Sequence, residues 1–255
     1  MKYSLRWIIL LLAGLLSFQA KAQLAITEVM AEGATNNYPY KGPDWFELTN
    51  FGTNDIPLEG YSFNDSRQTY GAVFYPFSGL VIHAGESVIF FRVRPYNITT
   101  NAETYRQWWG ESNLPPNLQI RTYLDPGFDG QAGDETWVYD SEMNVVDSVK
   151  FGASKPGHSF TYDPDTGIFG VVSTLGLNGS FQAALDWDIG SPGTTTGPSP
   201  LRIVEHPASQ TVDGGGQTTF SIKAAGMPRP RYQWLFGGAP IPGATSPTLT
   251  ISWFF

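Results

Sequence analysis

Two glutamates raise the question of chemistry. Glu28 stands in Ile26-Thr27-Glu28-Val29-Met30-Ala31, and Glu47 in Asp44-Trp45-Phe46-Glu47-Leu48-Thr49-Asn50. If the two segments are neighbouring strands, their carboxylates can act as acid and nucleophile in glycoside cleavage at a separation of about 5 Å, or as acid and base when farther apart. The plainer role is to accept backbone hydrogen bonds or cap turns at the sheet margin, since nothing else in the chain frames a sugar cleft. Two acidic stretches suit calcium, which takes several oxygen ligands. One is Asp125-Pro126-Gly127-Phe128-Asp129-Gly130 with Asp134 and Glu135 close behind; the other is Asp163-Pro164-Asp165-Thr166-Gly167. Neither completes an EF-hand loop, and both are ordinary turn-forming sequences. The three histidines, His83, His158 and His206, have no metal-ligand spacing to one another. His158-Ser159 lacks the Gly-x-Ser-x-Gly elbow of a hydrolase. Without cysteine there is no thiol catalysis, and no glycine-rich loop opens a helix to cradle phosphate. No catalytic residue, cofactor, cofactor-binding residue or metal ligand is therefore assigned, and the chain reads as a non-enzyme.

Aromatic residues are the remaining candidates for binding. Tyr96, Tyr105, Trp108 and Trp109 cluster in one stretch, and planar rings stack on sugars. Adjacent residues on a helix point about 100° apart, so at most one of the two tryptophans is expected to pack fully inward. The other is then half exposed and open to a carbohydrate. Tyr105, Trp108 and Trp109 are the candidate ligand-binding residues, with core packing as the plainer role.

The ends and the composition narrow the class. Lys2 and Arg6 precede an apolar run from Trp7 to Phe18, followed by Ala20-Lys21-Ala22. A basic start, a short apolar segment and an A-x-A site make a secretory signal peptide over residues 1–22, cleaved after Ala22. The run is short for a permanent anchor, no cysteine follows it for lipid attachment, and no later segment is apolar enough to span a membrane. The expectation is a protein secreted or displayed at the cell surface. Cleavage removes Lys2, Arg6 and Lys21 and takes the net charge from −8 to −11. An acidic chain repels nucleic-acid phosphates and anionic lipid. An exported chain without cysteine must hold its domains together by packing alone.

Short strands separated by turns run through the residues that follow. They include Leu58 to Asp65, Phe74 to Ile82 interrupted by Pro76, Ser87 to Phe91, Thr136 to Asp140, and Val145 to Gly152. The first two blocks alternate as strands with one face in a core should. Ile26, Val29 and Trp45 or Phe46 point inward, while Glu28 and Glu47 seek polar surroundings. One stretch breaks the pattern: Asn101 to Gly110 has an N-cap in Asn101, an acidic first turn and a glycine stop. It predicts a short helix that needs Tyr105 and Trp108 or Trp109 packed against the sheets.

The two opening blocks resemble the start of the bacterial lamin-tail domain. The likeness continues in Gly133-Asp134, in Val146-Asp147-Ser148-Val149-Lys150-Phe151-Gly152 and in Gly190-Ser191-Pro192-Gly193, in the family's order. It covers Gln23 to Gly193. It implies an all-β, immunoglobulin-like β-sandwich with the helix as an insertion, in a module of exported multidomain proteins that binds or spaces more often than it catalyses.

Residues 194–200 read as a linker, and residues 201–255 resemble the first five strands of an I-set-type immunoglobulin domain. Trp234 stands where that family has its core tryptophan, and Ile222 where it has its first disulfide cysteine. Such a domain needs about seven strands, and the sixth, with its aspartate-x-glycine-x-tyrosine turn, is absent. The second module is expected to be truncated, to leave Trp234 without its opposite layer and a strand edge open, and to fold poorly alone; completion by a partner's strand is the alternative. The expected function is structural, adhesive or interactive, against a protein or carbohydrate at the cell surface, as the N-terminal part of a larger protein. A carbohydrate-binding accessory domain using Trp108 and Trp109 is the alternative, and a glycoside hydrolase using Glu28 and Glu47 the remoter one.

Overall fold

Ile26 and Val29 are three residues apart, yet both enter the same core. A strict two-residue alternation forbids that, and a β-bulge resolves it. In the computed structural model, Ile26 lies opposite Leu48 and Glu28 opposite Glu47, so Thr27 is the extra residue. The bulge places Ile26 and Val29 on one face, and Glu28 and Met30 on the other. At the bulge, the Ile26 N–H donates to Asp147 Oδ2 (2.7 Å) on a distant strand.

The structure describes residues 3–5, 24–34, 42–66, 75–94, 99–163, 165–194, 199–212, 217–227 and 229–252. Most of residues 1–22, expected to be a signal peptide, Tyr96 and the final Trp253-Phe254-Phe255 lie outside them. The described residues form two compact units. One holds those between 24 and 163 and between 168 and 194; the other holds those between 199 and 252 with 3–5 and 165–167.

In chain order the strands are β1 (Tyr3–Leu5), β2 (Leu24–Met30), β3 (Trp45–Asn50), β4 (Ile56–Pro57), β5 (Ser62–Asn64), β6 (Tyr75–Pro76), β7 (Val81–Ile82) and β8 (Ser87–Arg92). Helix α1 (Ala102–Trp109) follows. Then come β9 (Gln119–Tyr123), β10 (Asp134–Tyr139), β11 (Val145–Phe151), β12 (Phe160–Asp163), β13 (Ile168–Val172), β14 (Phe181–Gln182) and β15 (Ile189–Gly190). The first unit is an all-β sandwich. A six-stranded sheet in the order β13-β12-β2-β3-β8-β9 faces a four-stranded sheet in the order β11-β10-β5-β6. Phe46, Leu48, Val88 and Phe90 from the first sheet meet Phe63, Val138, Val149 and Phe151 from the second. This layer is the core that the alternation of the strands predicts.

The pair β8–β9 is parallel. Parallel neighbours need a crossover connection, and α1 supplies it. The helix begins and ends as its sequence specifies. Asn101 caps it through Oδ1, which accepts from the Thr104 N–H, while the Thr104 side chain accepts from the Asn101 N–H. Gly110 closes it at a φ of 92°, a conformation that favours glycine. The helix lies on the outer face of the six-stranded sheet, where Tyr105, Trp108 and Trp109 pack with Met30, Trp45, Ile89 and Phe91. The sheet is thus covered on both faces, and every residue of β2 and β3 is buried. The one-sided burial expected of these strands is corrected: the helix, with β14 and β15, makes a third layer.

The stretch from Phe74 to Ile82, anticipated as one interrupted strand, contains two short ones. β6 pairs with β5 and β7 with β4, and a turn with Gly79 at a φ of 69° separates them. Nearby, Asn50 ends β3 fully buried. Its side-chain amide donates to the carbonyls of Asn54 (2.8 Å), Ile82 (3.0 Å) and His83 (3.2 Å), and Oδ1 accepts from the Gly52 N–H (2.9 Å). Asn50→Ala leaves these groups without partners and is expected to destabilise the unit by about 3 kcal/mol. The check is a lower urea midpoint at unchanged slope.

In the second unit, β16 (Ser199–Glu205), β17 (Gln210–Val212), β18 (Gln217–Ser221), β19 (Lys223–Met227), β20 (Leu235–Phe236), β21 (Ala239–Pro240) and β22 (Thr248–Ser252) form two-stranded pairs. These are β16–β19, β18–β22, β20–β21 and β17 with β1. Trp234 is not left bare as expected. It is buried with Phe220 and Ile222, and its indole N–H donates to the Ser246 carbonyl at 2.8 Å.

Candidate functional site

The bulge at Thr27 has a chemical consequence: it sets Glu28 directly across from Glu47, on the helix-facing side of the sheet. Both are 1% exposed. Glu28 Oε1 accepts from the Ser159 hydroxyl and from the Ser191 N–H (2.8 Å), and Oε2 pairs with Ser191 Oγ (2.8 Å). Glu47 Oε1 accepts from Thr27 Oγ1 (2.5 Å), and Oε2 from the Gly193 N–H (2.5 Å). Strands 20 residues apart thus bring the carboxylates together, and a segment more than 140 residues farther along satisfies them. Gly190 allows that closeness, since a Cβ there would sit 2.8 Å from Glu28 Oε1 and 3.1 Å from the Trp109 ring.

Burial, and after it the charge of Glu47, pushes the Glu28 carboxyl up to about 8, although Ser159 and Ser191 pull it down. The Tyr105 hydroxyl is raised well above its ordinary value, first by burial and then by Glu28, Glu47 and Asp188. The pair has the electrostatic character of a catalytic dyad without its access. No substrate reaches either carboxylate in this closed arrangement.

The aromatic candidates are equally enclosed. Tyr105, Trp108 and Trp109 are at most 1% exposed. The expectation that only one tryptophan packs inward is corrected, because the β14–β15 hairpin covers the side of α1 turned away from the sheet. Trp109 meets Trp45 edge-on at 5.8 Å and Phe181 at 5.6 Å. The Trp108 indole N–H donates to Asp188 Oδ2 (2.8 Å), and the Leu185 N–H donates to the Trp108 carbonyl (3.2 Å). Tyr105 stacks on Phe91 at 5.1 Å. None of the three offers a ring face to a sugar.

The carboxylates of the first acidic stretch are engaged within the chain. Asp125 pairs with Arg92, Asp129 Oδ1 accepts from the N–H groups of Gln131 and Ala132, and Asp134 accepts from those of Asp129 and Glu135. Among the described residues no three His, Cys, Asp or Glu gather as a metal site. The hydroxyl of Ser159 is committed to Glu28, and His158 contacts the Ser173 carbonyl, so they form no nucleophile–base pair. Sequence reasoning missed Ser159, Asp188 and Ser191 as partners of the buried groups. The only signal was Gly190-Ser191-Pro192-Gly193, read as an end marker.

Exposed apolar residues concentrate elsewhere. Leu175, Leu177, Leu185 and Trp187 are each more than half exposed, Trp187 at 67%. They lie in the stretch from Ile168 to Trp187, whose one charged residue, Asp186, is buried.

A stretch of 47 residues is 40% identical to Roundabout homolog 4 of Rattus norvegicus, covering 18% of this chain and 5% of that protein. The chain therefore spans a small fraction of the curated relative it matches. The model of the lamin tail domain family matches residues 17–153, more than half of the chain. That span contains the bulged strand β2, the strand ending in Asn50, the capped helix and the β10–β11 hairpin with Asp147. The chain belongs to the lamin tail domain family.

Proposed function

We propose that this chain is a non-catalytic interaction module of an exported protein. In this reading residues 1–22 are a signal peptide, 23–193 the lamin-tail-like domain, 194–200 a linker and 201–255 an immunoglobulin-like module. It works as a structural or adhesive part of a larger surface or secreted protein, with protein partners. The observation that carries the reading is the enclosure of Glu28 and Glu47, which the domain uses to tie its own closing segment. The likeness to a short part of Roundabout homolog 4 supports an interaction role, and among the described residues no helix is long and apolar enough to cross a membrane. The charge-poor stretch with Leu185 and Trp187 has the composition of a contact surface, where exposed tryptophan contributes most.

The test compares the full chain with the double variant Leu185→Asp, Trp187→Ala for attachment to the surface of the producing cells. Attachment is expected to weaken about tenfold or more, with unfolding stability changed by no more than about 0.5 kcal/mol. Unchanged attachment would overturn the assignment of this surface. Glycoside turnover that Glu47→Gln abolishes would overturn the non-catalytic reading.

A further inference from the structure

Glu28 and Glu47 face each other in a water-excluded layer, and the donors that meet them come largely from one short segment. Ser191 gives Glu28 its backbone N–H and hydroxyl, and Gly193 gives Glu47 its N–H. The residues just before it are held by the pairing of β15 with β14 and by hydrogen bonds of Ile189 to Gly157, Ser159 and Ser173. Two buried carboxylates this close cannot both stay ionised without strong repulsion, so the pair retains a proton. Glu28 Oε2 is its natural seat. Oε1 accepts from two donors, the Ser159 hydroxyl and the Ser191 N–H, and Oε2 from the Ser191 hydroxyl, which leaves Oε2 more room to carry a proton.

A chain of hydroxyls also leads from Glu47 toward the surface. From Glu47 Oε1, hydroxyls lead through Thr27 Oγ1 (2.5 Å) and Thr49 Oγ1 (3.0 Å) to Ser87 Oγ (2.7 Å). Thr49 and Ser87 line a cleft of about 340 Å³ whose wall also includes Glu86, Leu118 and Gly193. The titratable and charged groups around the pair are Tyr105 from α1, Asp188 from the β14–β15 hairpin, and Glu86 at the cleft. Asp188 is tied to the Ala34 N–H and the Trp108 indole, and the Glu86 carboxylate to the His83 N–H and Gln119.

We propose that Glu28 and Glu47 form a proton-operated latch: a single proton on the pair relieves the repulsion between the two carboxylates and lets the closing segment Ser191–Gly193 seat on the sheet, and its loss releases that segment. Release is confined to Ser191–Gly193, because Ile189 is tied to Gly157, Ser159 and Ser173, and β2 and β3 lie inside the sheet. The direction with pH follows from linkage. Between the ordinary carboxylate value of 4.5 and about 8, the folded chain holds a proton that the unfolded chain has lost. Stability is therefore full below that window, falls as pH rises through it, and levels off above.

Hydrogen exchange followed by mass spectrometry on the full chain, at about pH 6 and about pH 9 and corrected for intrinsic rates, tests this. Protection of residues 191–194 is expected to drop about tenfold or more at the higher pH while β3 keeps its protection. Glu28→Gln, which copies the protonated side chain, is expected to hold that protection constant. Protection unchanged in the unaltered chain, or lost equally in Glu28→Gln, would overturn the latch. If Glu28→Gln does not fold, carboxyl ¹³C resonances of the unaltered chain decide. One glutamate titrating above about pH 7 supports the latch, and all titrating below about pH 6 overturns it.

Discussion

A chain that stops after residue 153, where the family match ends, is expected not to fold, whereas one that continues past Gly193 folds cooperatively. The shorter chain keeps the whole four-stranded sheet but loses β12, which pairs with β2 and places Phe160 against Phe151 at 5.0 Å. It also loses Ser159, Ser191 and Gly193, the donors to Glu28 and Glu47. Two outcomes are open to those carboxylates. Kept buried, each leaves a polar group unsatisfied, at about 1–3 kcal/mol or more for a charge. Opened to water, they expose the layer of Trp45, Trp109 and Met30, at about 1.5–3 kcal/mol for each large apolar side chain. Either sum approaches the 5–15 kcal/mol that holds an ordinary domain together. Near-ultraviolet circular dichroism and a thermal melt of the two chains make the comparison. A cooperative melt of the 153-residue form within a few degrees of the longer one would show that the closing segment is dispensable.

Trp109→Ala is expected to destabilise the first unit by about 3–5 kcal/mol, because the ring is fully buried and its neighbours hold the walls of the resulting cavity apart. Trp45 and Phe181 meet it edge-on from opposite elements, and Tyr105 lies 6.3 Å away on the same helix. Trp187→Ala removes a ring of the same size from an exposed position and is expected to change stability by no more than about 0.5 kcal/mol. Chemical denaturation of both variants separates a packing role from a surface role. If Trp109→Ala were as mild as Trp187→Ala, the helix would be an ornament on the sheet rather than its third layer.

Local chemistry was legible in the sequence. The capped helix from Asn101 to Gly110, the turn after Asp140, and most strands of the two sheets follow from residue preferences within a few positions of each other. So did the inward direction of Ile26 and Val29, with Trp45 or Phe46 left open, because alternation is a property of one strand. The family resemblance rested on ordered motifs, and the family match agrees with it over residues 17–153. β9, β12 and β13 were not singled out. Their pairing partners lie far away in sequence for β12 and through a crossover for β9, and the exposed β13 has little alternation to read.

The spacing of Ile26 and Val29 held a clue to the bulge, but one strand cannot say which of its residues lies off the ladder. Only the pairing with β3 makes Thr27 the extra residue and turns Glu28 toward Glu47. In the same way, a helix alone predicts that adjacent tryptophans diverge by about 100°; it cannot predict that a later hairpin covers the diverging side. The sequence by itself determined the strands, the helix with its caps, and one core face, since these depend on short-range sterics and periodicity. The tertiary structure decided that the sheet is buried on both faces, that two carboxylates share one dry layer, and that Ser191 and Gly193 tie them. Those features arise from contacts between residues from 20 to more than 140 positions apart, which no local pattern encodes.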